Sequence, residues 1–185
     1  MANENENGID GTGVQRGNRL RMAIWVLAAG LFLLPLVAMQ FTGEVKWTGF
    51  DFLVWGLMLL AACGAYEVVA RMSANRHYRL GAGVAIATGF VVFWANGAVG
   101  MIGNEGNAYN LLFLGAIALG AVVAMVSAFR AAGMAKALYA TAIAHGLVAL
   151  VALVAGWDMR GAIFSLCFVL PYLFAATLFR LAARE

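Results

Sequence analysis

NLLFLGAIALGAVVAMVSAF, residues 110–129, runs for twenty positions without a formal charge. A helix of that length rises ~30 Å, which matches the hydrocarbon thickness of a bilayer. Five other stretches have the same character, at 22–41, 52–70, 80–102, 137–156 and 162–179. The composition agrees: 64% of the chain is apolar and 11% is charged, and the mean hydropathy is +0.86. Soluble domains do not have this balance. The expected fold is all-α, a polytopic transmembrane bundle of six helices over residues 22–180. Such a bundle uses most of the chain and leaves no room for a soluble catalytic domain.

The flanks are short. Residues 1–21, MANENENGIDGTGVQRGNRLR, are rich in Asn, Gly and charge and have little to bury, so a disordered cytoplasmic tail is expected there. The apolar run that follows is too long for a secretory leader and lacks a small-residue cleavage site, so it is expected to stay attached as the first span. Residues 181–185 form a second short cytoplasmic tail.

Orientation follows from Lys and Arg, which accumulate on the cytoplasmic side. With the N-terminus inside, the inner segments hold Arg16, Arg19, Arg21, Arg71, Arg76, Arg79, Arg130, Lys136, Arg180 and Arg184, and the outer loops hold only Lys46 and Arg160. Ten against two places both termini in the cytoplasm. Trp25, Tyr66, Tyr78 and Tyr139 fall near the inner interface, and Trp47, Trp55, Tyr109 and Trp157 near the outer one, as aromatic belts do. The net charge of +3 follows from this topology and gives no reason to expect nucleic-acid binding. The partner common to every reading is the lipid bilayer, with a membrane protein or a second copy of the chain as further candidates.

Helices in lipid are held by close backbone approach, which small residues permit. Gly81, Ala85, Gly89 and Gly97 recur at multiples of four in the third span, and Ala116, Gly120, Ala124 and Ala128 do so in the fourth. Adjacent in sequence and joined by a short loop, the two are expected to pack as an antiparallel hairpin, with Gly97 and Gly100 as helix contacts. Pro35 and Pro171 are expected to kink the first and last spans. Cys63 and Cys167 lie inside spans and read as buried, inert thiols.

Two sets of residues carry chemistry. Ionisable and polar groups inside the spans are costly and therefore candidates for a polar path. Counted from the inner helix ends, Glu67 lies about 4 Å deep, Thr88, His145 and Tyr172 roughly 10–12 Å, and Asn96 roughly 24 Å, level with Ser165. Glu67 is expected to pair with Arg71 one turn later. His145 reads either as an interhelical hydrogen bond or as one end of a path shared with Glu67. The second set is the outer loop, where Asn104, Glu105, Asn107 and Asn110 read as a turn or as an oxygen-donor site for a hard cation. His77 falls in a cytoplasmic loop and cannot join His145 in clamping a haem, so no cofactor and no metal is expected. No Gly-rich phosphate loop, zinc spacing or Ser/His/Asp set is present, and the chain does not read as an enzyme.

GAYEVVAR (64–71), WANGAVGMIGNEGNAYNLL (94–112), GMAKALYATA (133–142) and LFRLAARE (178–185) resemble segments of a family of small, uncharacterised bacterial six-helix integral membrane proteins. The resemblance covers the chain from the second helix onward and implies a bacterial inner membrane. Glu105, Asn107 and Asn110 match the family pattern, whereas Gly106 and Ala108 stand where those relatives carry a more acidic loop and a proline. Two function classes follow. One is a non-enzymatic membrane module, a subunit, assembly factor or sensor that works by helix contact. The other is a small permease or ion- or proton-coupled carrier using Glu67, Asn96 and His145, which at this size needs a homo-oligomer to build a path and two gates.

Overall fold

The computed structural model describes the backbone from Asn7 to Glu185 and the side chains from Arg21 onward. The described chain is all helical, without a strand: α1 (Asn7–Phe41), α2 (Gly49–Met72), α3 (Arg76–Ala98), α4 (Leu111–Val126), α5 (Ala131–Val154), α6 (Met159–Leu166) and α7 (Val169–Ala182), with one 3₁₀ turn at Ala108–Asn110. Six helices are long and apolar enough to cross a membrane, α6 and α7 together forming the sixth. The helix α1 begins at Asn7, within the 1–21 segment. Residues 1–6 of the expected tail lie outside the described residues.

The chain divides into two compact units, 1–67 and 68–185. In the first, α1 and the matching part of α2 run antiparallel. Thr48 and Asp51 form a reciprocal cap at the start of α2: Asp51 Oδ2 accepts from the Thr48 amide at 2.6 Å, and Thr48 Oγ1 accepts from the Asp51 amide at 3.4 Å. Pro35 does not break α1. It has no amide to give the carbonyl of Leu31, four residues earlier, and Trp55 Nε1 donates to that carbonyl at 3.0 Å. The defect a proline leaves in a membrane helix is thus repaired from the neighbouring span. Beside it, Phe32 lies against Gly56, and Trp47 stands edge-on to Trp55 at 6.0 Å.

In the second unit α5 is the central helix, packed against α4, α6 and α7, while α3 packs on α7. The expected α3–α4 hairpin is therefore corrected. The α4 stripe is a contact face, with Ala116, Gly120 and Ala124 buried, but it meets α5: a Cβ on Gly120 would overlap Thr141 Oγ1 and stand 3.4 Å from the Ala137 carbonyl. Gly81 of α3 is closed by Phe179 and Leu178 of α7, at 3.1 and 3.2 Å from a would-be Cβ, whereas Gly89 and Gly97 have nothing within 4 Å. Gly97 is thus not a contact, and Gly100 is a turn residue with φ +78°.

Two apolar clusters fill this unit. Near the end that carries Arg76 and Arg130, Tyr78, Ala82, Leu138, Ala142, Tyr172 and Phe179 pack together; nearer the 99–110 loop, Val92, Met101, Ile102, Phe113, Ala149 and Ala162 do. The tight α4–α5 turn puts Ala128 and Phe129 in left-handed backbone, at φ 50° and 56°. That turn is held by Tyr78, whose hydroxyl donates to the Phe129 carbonyl at 2.6 Å. The sixth span breaks at Cys167–Phe168 because Pro171 offers no amide to the Cys167 carbonyl. Of the two cysteines, Cys63 is buried, whereas Cys167 is exposed, contrary to the sequence reading.

Candidate functional site

The five residues of the expected polar path fall in both units. In the first, Glu67 is held by Arg21: Arg21 Nε donates to Glu67 Oε2 at 2.7 Å, and Arg21 Nη2 engages Oε1. This bidentate pair fastens the start of the first span to the end of the second. Antiparallel neighbours bring positions 21 and 67 level, a consequence no spacing within one helix reveals.

In the second unit most polar side chains turn back onto their own helix. Thr88 Oγ1 donates to Val84 O at 2.7 Å, Thr141 Oγ1 to Ala137 O at 3.0 Å, Ser165 Oγ to Gly161 O at 2.8 Å, and Asn96 Nδ2 to Val92 O at 2.8 Å. Asn96 and Ser165, placed at one level by the sequence, thus each bond within their own helix. A short side chain on a membrane helix finds the carbonyl one turn back more readily than one on a neighbour.

His145 differs. Its Nε2 lies 3.2 Å from the carbonyl of Ser165 in α6, and its ring is walled by Phe113 at 4.7 Å, Tyr172 at 5.8 Å and Phe168 at 6.1 Å. It is fully buried. Because α5 begins at Ala131 rather than at 137, His145 stands roughly 21 Å from one end of the helix and about 13 Å from the other, close to mid-membrane. The structure thus joins His145 and Tyr172 and leaves Thr88 and Asn96 bonded within α3. His77, read as a loop residue, stands in the first turn of α3, with Nδ1 2.9 Å from Glu185 Oε1.

The outer-loop set is built around Asn110. Its Oδ1 accepts the amides of Met101 and Ile102, at 2.9 and 2.8 Å, and its Nδ2 donates to Asn104 O at 2.7 Å. Asn104 Oδ1 accepts from the Gly106 amide and Asn107 Oδ1 from the Tyr109 amide, while Glu105 is exposed. The amide oxygens therefore serve the loop's own backbone. No group of three or more His, Cys, Asp or Glu side chains gathers as metal ligands among the described residues.

Asp158 is the member of this loop cluster that sequence reading passed over. Its Oδ2 accepts the Gly103 amide at 2.9 Å and its Oδ1 those of Arg160 and Gly161, both at 3.1 Å. It caps α6 and ties the loop to it. The Gly103 amide, followed by that of Gly161, holds its carboxyl below the usual range. A Cβ on Gly161 would overlap both the Met101 carbonyl and this carboxylate. Tyr109 and Trp157 stack over the same end at 3.9 Å. An Asp directly before an apolar run is the cap signal that could have found it.

No family model, curated protein or solved structure matches this chain.

Proposed function

We propose that this multi-pass membrane protein is a non-enzymatic module, a subunit, assembly factor or sensor that acts through helix packing, set in a bacterial inner membrane with both termini in the cytoplasm. One observation carries the reading. Thr88, Thr141 and Ser165 give their hydroxyl hydrogens to carbonyls of their own helices, and Asn96 does so with its side-chain amide, leaving its Oδ1 as the one atom of this set without a hydrogen-bond partner among the described residues. Hydroxyls that donate to their own helix have no hydrogen left to offer a polar substrate, and a carrier needs several polar groups facing one cavity. The resemblance to the bacterial six-helix family supports the inner-membrane setting, and the basic asymmetry supports the orientation.

The test is aqueous thiol-reagent access to single cysteines at positions 96 and 145, in a variant lacking Cys63 and Cys167. Protection at both positions is expected. Labelling at both overturns the packing reading and favours a small permease. Identification of what copurifies in mild detergent then names the partner, whether a membrane protein or a second copy.

A further inference from the structure

The sixth span is interrupted in the middle of the unit, and one buried ring reaches into the interruption. Ser165 O is an acceptor only, so the His145 nitrogen 3.2 Å from it, Nε2, carries the proton. The neutral ring then presents a bare lone pair at Nδ1. That atom has no hydrogen-bond partner among the described residues, and neither does the hydroxyl of Tyr172. His145 is 0% and Tyr172 2% exposed, and their ring centres lie 5.8 Å apart, inclined by 57°.

The two orphans are complementary, since one lacks a donor and the other has a proton to give. Each is costly to leave unpaired at mid-membrane, because lipid tails supply no substitute. The aromatic walls, Phe113 and Phe168, offer neither donor nor acceptor. A ligand that satisfies both atoms must accept from a hydroxyl and donate to an imine nitrogen, and must be small. Water is the smallest such molecule, and buried waters are held by polar groups that otherwise go unpaired.

We propose that His145 Nδ1 and Tyr172 Oη hold one water molecule between them at the break in the sixth span. The water accepts the Tyr172 hydroxyl proton and donates to Nδ1, which fixes the Nε2–H tautomer and with it the latch on Ser165. The site links α5 to both halves of the broken span. It is independent of the packing role: thiol access at position 145 reports an open aqueous route, whereas this site holds a single enclosed water.

The test uses the full chain in nanodiscs with ¹⁵N-labelled histidine, the His145 signals being assigned with His77→Gln. Water-edited NMR should show magnetisation passing from water to the His145 imidazole and to the Tyr172 hydroxyl proton. In Tyr172→Phe the transfer to His145 should be lost while the Nε2–H signal stays protected. Absence of transfer to either group in the unmodified chain overturns the proposal. So does transfer to His145 that survives Tyr172→Phe. Because the first measurement needs no substitution at the site, a poorly folding variant leaves it intact.

Discussion

Asp158 shows how much one side chain can organise at a helix start. Three amides converge on its carboxylate, and together they keep it ionised to lower pH than a free aspartate. A folded-state pKa below the unfolded value of about 3.9 means that the stabilisation is fully present above that pH. It is lost as the pH falls through the folded value. Asp158→Ala should therefore destabilise the protein at neutral pH by about 1 kcal/mol, the scale of a lost N-cap. The gap between variant and wild type should close in acid unfolding curves taken below pH 4. Trp55 makes a second case. Trp55→Phe strands the Leu31 carbonyl at a cost of about 1–3 kcal/mol. Restoring the missing amide with Pro35→Ala should recover much of that loss in a double-mutant cycle followed by thermal melting. Asp158 was readable as a cap from its position before an apolar run. The Trp55 bond was not, because it needs the pairing of two spans as well as the proline.

At the scale of elements, close approach was legible and the choice of neighbour was not. Small residues four apart say that a helix face will be approached, and Gly120 is approached; they do not say by which helix, and the answer is α5. Gly120→Leu should lower stability by roughly 1–3 kcal/mol or more as the side chain meets Thr141. Gly89→Leu, with nothing within 4 Å of its would-be Cβ, should be tolerated. Equal melting temperatures for the two variants in detergent would contradict the α4–α5 seam. The break in the sixth span belongs here too. Pro171 announced an irregularity, but the Ser165 carbonyl that His145 meets is backbone, and no side-chain pattern marks it.

For the whole molecule, the six spans could be read because a bilayer allows few alternatives to twenty apolar residues in a helix. Their sidedness rests on the basic residues, so reporter fusions after Arg76 and after Lys136 should both behave as cytoplasmic. An external result for either reverses the orientation or changes the number of spans.

The seam between α3 and α7 joins Gly81 to Phe179, residues separated by about 100 positions. At a synthesis rate of about 5–20 residues per second, the third span waits roughly 5–20 s in the membrane before the helix that closes it is made. During that interval the Gly81 face lacks the Phe179 and Leu178 side chains that close it in the finished fold. The α3–α7 seam therefore closes only after α7 has been made, long after α3 has entered the bilayer.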